Sequence, residues 1–254
     1  MQMTITAKVI CDSICKQSKI RITTLELEYP RFIHSEFMTH RMFSRNASSS
    51  RAIPIMKMIQ AVIDNPAMPI HWGKNQAGMQ AREQLEDRYQ LQAQLLWKAA
   101  RDSAVEHAKT MLALGAHKQI VNRILEPFTH IRVIVTATNF ANFFALRDHE
   151  DAQPEIRELA VAMKKAIEES TPQLLGIGEW HLPYLDAEDF TNIYEHLKEN
   201  SITRHDPTHH QTWMMACAVS AAASAACAFP LNIKPHATNM IPKNAAAFVP
   251  IVSL

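Results

Sequence analysis

Five of the 254 residues are glycine, and that shortage narrows the choice of fold more than any other feature. Folds that hold a dinucleotide or nucleoside triphosphate through backbone amides need glycines at fixed intervals, so that the chain turns tightly and approaches a phosphate closely. Neither G-x-G-x-x-G nor G-x-x-x-x-G-K-[ST] occurs. A nucleotide bound by this chain has to be held by side chains.

One segment carries side chains suited to that. THRMFSRNASSSRAIP, residues 39 to 54, gathers His40, Arg41, Arg45, Asn46, Ser48, Ser49, Ser50 and Arg51. Arginine's planar fork matches phosphate oxygens, and serine hydroxyls with turn amides complete an anion nest. The competing reading is a solvated helix cap whose serines satisfy backbone amides. Composition does not separate the two.

The bulk numbers exclude several classes. A formal net charge of +1 gives no long-range field for nucleic acid or an anionic membrane, so an anion site has to be local. No apolar run reaches the roughly 18 residues of a membrane span, and MQMTITAKVICDSICKQSKIRIT has no signal-peptide core. Four cysteines (Cys11, Cys15, Cys217, Cys227) are too few for a disulfide scaffold, so a reduced, cytoplasmic setting is expected. RHDPTHH, with His205, His209 and His210, and the Cys11-x3-Cys15 pair raise metal binding. Pro207 interrupts the helical spacing and no third ligand stands at motif distance, so no metal is expected.

Patterning predicts strands over 4–10 and 20–29, a short helix after Pro30, an amphipathic helix in IMKMIQAVIDN, and a long helix from about 79 to 114 stopped by Gly115. In the long helix, Leu85, Tyr89, Leu95, Leu96, Ala99 and Ala100 form an apolar stripe. Helices follow over 118–125 and 151–169, while 129–146 mixes helical spacing with β-branched residues. Arg147 sits where an apolar segment meets an acidic turn; it is either a capped helix end or a cation placed to stabilise charge on a planar base. Arg123, alone on an apolar segment, either snorkels or binds.

HRMFSRNASSSR, followed about a hundred residues later by NFFALRDHEDAQPEIR, resembles the flavin-dependent thymidylate synthase family. That family's signature is Arg-His-Arg, seven residues, then Ser-Gly-Arg; here it reads Thr39-His40-Arg41, seven residues, then Ser49-Ser50-Arg51. Its N-F-L-x-L-R…A-Q-x-E-I-R segment is matched by Asn142, Phe143, Leu146, Arg147, Ala152, Gln153, Glu155, Ile156 and Arg157. Its R-x-x-L-P element is echoed by Arg123, Leu125 and Pro127, with Glu126 as the difference.

The resemblance implies an α+β fold, a small antiparallel sheet covered by helices, in a homotetramer with shared sites. It implies reductive methylation of dUMP to dTMP, with methylenetetrahydrofolate giving the carbon and NADPH reducing FAD. Carried over residue by residue, His40, Arg41, Asn46 and Asn142 contact FAD. Ser49, Ser50, Arg51 and Arg123 hold the dUMP phosphate, and Arg147 is the catalytic group beside the uracil. A variant making another 5-substituted deoxyuridylate, or a non-catalytic flavin- or nucleotide-binding relative, remains the alternative.

Several positions depart from the family. Thr39 replaces the first arginine, Ala47 a glutamate and Glu36 a common glutamine. Arg45 is a candidate to compensate for Thr39. The family's V-S-A-A-R-C-A-R-V-S-Y segment, which commonly precedes the signature, finds its rhythm only in VSAAASAACAF, Val219 to Phe229, with Ala223 and Ala226 at the arginine positions. That implies a permuted order of a kind suited to a compact phage genome, with a catalytic core over 1–200 and a divergent Ala-rich segment over 201–254. Two accounts of that segment stand: a reading-frame shift near 215–225, or a divergent tail packing as a helix.

Overall fold

In LELEY, residues 25 to 29, Leu25, Leu27 and Tyr29 are fully buried while Glu26 and Glu28 lie on the other face. Period two in the sequence becomes two faces of a strand. The structure, a computed structural model, describes residues 5–77, 81–199 and 209–226. In chain order its elements are β1 (Thr6–Cys15), β2 (Arg21–Pro30), α1 (His34–Phe37), β3 (Ser44–Ala47), α2 (Ile55–Asp64), α3 (Asp87–Ala113), α4 (Lys118–Leu125), β4 (His130–Ala137), α5 (Ala141–Arg147), α6 (Pro154–Glu168), β5 (Gln173–Leu175), α7 (Ala187–Glu199) and α8 (His209–Ala226).

The class is α+β, as expected. The sheet runs β3-β4-β2-β1-β5. Its first three ladders are antiparallel, and the three-residue β5 joins β1 in parallel. Leu25, Leu27 and Tyr29 stand opposite Val135, Val133 and Ile131. Together they form the floor on which α6 lays Ile156, Leu159, Ala160 and Met163, and around which Phe37, Phe43, Phe140 and Phe143 close. Burial stabilises each large side chain among these by about 1.5–3 kcal/mol. Arg21 grips Asp12 through two bonds of 2.9 and 2.6 Å and donates to the Ile167 carbonyl at 2.8 Å, tying the last turn of α6 to the hairpin.

A second core joins α2, α3 and α4 through Met58, Ile59, Val62, Val105, Ala108, Val121 and Leu125. Here two expectations change. The long helix starts at Asp87, not near 79 (residues 78–80 lie outside the described ones): Leu85 N donates to Trp72 O at 2.8 Å and Lys74 N to Glu83 O at 2.7 Å, so this stretch clasps the preceding loop. The stripe read from the sequence is also not the buried one. Tyr89, Leu95 and Leu96 are exposed, and Ala104, Val105 and Ala108 face inward. The stop holds: Gly115 adopts φ +81°, the left-handed conformation that terminates helices.

Residues 129–146 divide. The β-branched half becomes β4, and Asn139 Oδ1 accepts from Ala141 N at 2.8 Å to start α5. On the sheet's second face, Thr24 meets Thr136 at 2.7 Å and His181 Nε2 at 2.8 Å, while His181 Nδ1 reaches Ser13 at 2.9 Å. The segment after His181 leads to α7 and α8, which pack through Leu182, Ile193, Met215, Ala216 and Val219. Of the Val219–Phe229 stretch, residues to Ala226 belong to α8 and the remainder lies outside the described residues, as does His205. Among the described residues, no helix is long and apolar enough to cross a membrane, and no group of three His, Cys, Asp or Glu side chains could hold a metal ion.

Burial pushes the pKa of His181 down from 6.5 to about 4, against a weaker pull from Asp12. The unfolded chain therefore takes up a proton below pH 6.5 that the folded chain refuses until about pH 4. Stability from this group is complete above that window and lost as pH falls through it. We expect the urea midpoint to drop across this range and His181→Gln to flatten the drop in part, because burial shifts His34, His40 and His130 the same way. A midpoint equally steep in the variant would refute the assignment.

Candidate active site

The first face of the sheet carries a charged group at its rim. His40 lies in the turn after α1, 4.8 Å from the Phe143 ring and edge to face with it, and stacked 6.0 Å from Phe43. Arg147, the last residue of α5, donates from Nε to His40 Nε2 at 3.0 Å and from its fork to the Glu36 carboxylate of α1. Because Nε2 must accept, the His40 proton resides on Nδ1 and the ring is neutral. Burial, then Arg147 and Arg45, lower the pKa of His40, consistent with that assignment. The turn is braced by Arg45, which donates to the carbonyls of His40 and Met38, so its fork is committed to backbone. Thr39 closes the same turn, donating to Glu36 O at 2.7 Å.

Arg147 and Glu36 lie on the wall of a cleft of about 900 Å3 whose other walls include Phe32, His71, Trp97, Gln153 and Glu155. Phe32 and Trp97 meet edge to face at 6.3 Å, and Trp97 donates to Ala67 O at 3.0 Å. Glu155 is buried, accepting from Ile70 N at 2.9 Å and Gln153 Nε2 at 3.1 Å. An aromatic-walled cleft with a few fixed polar groups is suited to a planar heterocycle.

The serine loop forms a second cluster. Asn122 of α4, 1% exposed, donates to Ser50 O at 2.7 Å and Ile53 O at 2.9 Å, pinning the loop from beneath. Ser48 is tied to the sheet: its N–H donates to Arg132 O at 2.9 Å. Ser50 donates its hydroxyl to Glu126 Oε1 at 2.5 Å. The same carboxylate accepts from Arg123 at 3.2 Å and lies 4.0 Å from Arg31.

The chain thus brings His40 to Arg147, and Ser50 to Arg123 through Glu126. It does not bring Asn46 to His40. Arg45 and Ala47 stand opposite Val135 and Val133 of the first face, which turns Asn46, opposite Ile134, to the second face, where its Nδ2 donates to Ser224 O of α8 at 2.9 Å. Arg41, Arg51 and Asn142 are exposed, with Ser49 half-buried. Arg41 and Arg51 make no ion pair with any of the described residues. Sequence reasoning did not find Asn122, Arg31 or Trp97 as parts of these sites. Glu36 and Glu126 stood out only as departures, and their charge opposite an arginine was the available signal.

A protein-family profile described as thymidylate synthase complementing protein matches residues 20–173, more than half of the chain. Among solved structures, the fold is similar to that of a UMP/dUMP methylase, PolB from Streptomyces cacaoi, bound with 5-Br UMP. The identity there is 17%, the TM-score 0.55, and the match covers 66% of this chain and 90% of that one. The same enzyme bound with 5-Br dUMP gives 18% identity, a TM-score of 0.55, and 66% and 91% coverage. At that identity the likeness is one of fold. No curated protein sequence matches. The span of the profile match, which takes in both the signature loop and the Arg147 segment, places the chain in the thymidylate synthase complementing protein family, the flavin-dependent thymidylate synthases.

Proposed function

We propose that this chain reductively methylates dUMP to dTMP as a flavin-dependent thymidylate synthase. The observation that carries the reading is Arg147: the residue that the family motif sets beside the pyrimidine lies on the wall of the aromatic cleft, its fork oriented by Glu36 and His40. A cation held there would stabilise negative charge at N3 of a uracil and raise electron density at C5. None of the four cysteines (Cys11, Cys15, Cys217, Cys227) lies in the signature loop or in the Arg123 and Arg147 segments, which suits a mechanism without a cysteine nucleophile.

The cleft's volume and its Phe32–Trp97 walls fit a flavin ring, and the exposed Arg41 and Arg51 suit phosphate groups of flavin and nucleotide. FAD reduced by NADPH supplies the hydride and methylenetetrahydrofolate the carbon. His40 and Arg41 would hold the flavin, joined by Asn142 and Asn46. Ser49, Ser50, Arg51 and Arg123 would hold the dUMP phosphate. Because Asn46 faces away from His40 in one chain, the four flavin residues can converge only between subunits. The exposed Tyr89, Leu91, Leu95 and Leu96 of α3 support a homotetramer of that kind. Residues 1–200 then form the catalytic core and 201–254 a divergent segment, in a cytoplasmic enzyme.

A second reading, a binding relative without turnover, is favoured by one observation: Arg147 already carries the Glu36 carboxylate, where the family commonly has a glutamine. Both readings meet the same assay. A flavin absorbance band that shifts on addition of dUMP, followed by NADPH oxidation and dTMP formation with methylenetetrahydrofolate, is the expected result. Binding without product selects the second reading, and absence of both flavin and dUMP binding refutes each. Arg147→Lys, which keeps the charge and loses the fork, is expected to lower kcat/KM about 100-fold.

The loop offers a separate comparison. Asn122→Ala removes two buried hydrogen bonds and is expected to cost about 2–3 kcal/mol in urea denaturation. Arg51→Ala, at an exposed position, should leave the midpoint within error and weaken dUMP binding. Equal effects on stability would contradict the division between a supporting residue and a contacting one.

A further inference from the structure

Ser50 and Glu126 are two positions where the motifs are altered, Ser for the signature's glycine and Glu at the difference in R-x-x-L-P, and the structure bonds them to each other at 2.5 Å. Ser50 is 4% exposed, and the Glu126 side chain 22%. Around that carboxylate stand Arg123, whose Nη1 lies 3.2 and 3.3 Å from its two oxygens, and the Arg31 guanidinium at 4.0 Å. A hydroxyl donor and two guanidinium groups about one anionic group is the donor set of a phosphate site, and here a carboxylate of the chain itself fills it.

We propose that Glu126 is a resident anion in the phosphate cradle, which the phosphate monoester of the substrate must displace, and so a residue that sets how strongly the site distinguishes a nucleotide from its nucleoside. This rests on the reading of residues 49 to 51 and Arg123 as the dUMP phosphate site. The physical argument is one of like charge. A phosphate approaching Ser50 and Arg123 with Glu126 in place meets a carboxylate within a few ångströms, a repulsion that a partly buried setting screens poorly. With Glu126 turned out, its partners are released to the phosphate, and Arg31, held to Thr129 Oγ1 at 3.2 Å and to Ser48 O at 3.3 Å, keeps its place beside the loop. Nothing comparable opposes a deoxyuridine, which brings no charge to this end of the site.

The test is calorimetric titration of the full chain and its Glu126→Gln variant with dUMP and with deoxyuridine. Glutamine keeps an acceptor for Ser50 and removes the charge. The expected result is dUMP binding about tenfold tighter in the variant, with deoxyuridine binding unchanged. Glu126→Leu, which removes charge and hydrogen bond together, should shift dUMP affinity in the same direction. Circular dichroism melts confirm that both variants are folded. Wild type and variants that bind dUMP equally would overturn the role of Glu126 and leave the substrate reading standing. Tightening of both ligands alike would overturn it too, since the effect would not follow the phosphate. Failure of every protein to bind dUMP would refute the substrate reading and the inference with it.

Discussion

The register between β2 and β4 is the constraint from which the rest follows. Leu25, Leu27 and Tyr29 are set against Val135, Val133 and Ile131, so one face of the sheet is apolar and the other carries Thr24, Glu26 and Thr136. A slip of β2 by one residue would turn that strand over and bury Glu26 and Glu28 beneath α6 in place of Leu25, Leu27 and Tyr29. The edge strand β3 inherits the same register through β4. That decides which residues of the signature loop reach the His40 cluster and which face α8. The separation of Asn46 from His40 thus follows from the pairing of β3 with β4, in which Asn46 stands opposite Ile134.

The site region is built from cations that are already paired. Arg147 is held by Glu36, Arg123 and Arg31 by Glu126, and Arg45 by two backbone carbonyls. Fixing a guanidinium this way orients its fork before any ligand arrives, which lowers the ordering cost of binding. It also spends part of the positive charge a nucleotide would otherwise meet. Arg41 and Arg51, exposed and without ion pairs to the described residues, retain theirs.

Much of this was legible in the sequence where a single local rule governs. Alternation gave β2, Pro30 ended it, and Gly115 stopped α3 at a left-handed turn. The motif spacing picked out His40 and Arg147, which do meet. What could not be read was set by tertiary partners. Gln84 and Leu85 suit a helix, yet pair with Gly73 and Trp72. The four-residue β3 has no period long enough to detect and exists because β4 offers it an edge. On α3, leucines at 95 and 96 look like core and alanines at 104 and 108 do not. Those alanines lie with Val105 in the core that α3 shares with α2 and α4, and the position of those two helices, not hydrophobicity along α3, decides which face is buried.

The altered motif positions follow the same logic of partners. Taken singly, Ser50 would place a hydroxyl almost out of reach of water, and Glu126 a carboxylate on a largely apolar turn; each substitution alone leaves a polar group that costs about 1–3 kcal/mol unless it is satisfied. Together they satisfy each other and recruit Arg123 and Arg31. Glu36 and Arg147 stand in the same relation across α1 and α5. Departures from a family pattern that bond to one another, or to a retained arginine, are better understood as paired changes in how a charged site is balanced than as independent losses. Arg147, the arginine of the family motif that this chain keeps, is held by Glu36 on the wall of the cleft that Gln153 also lines.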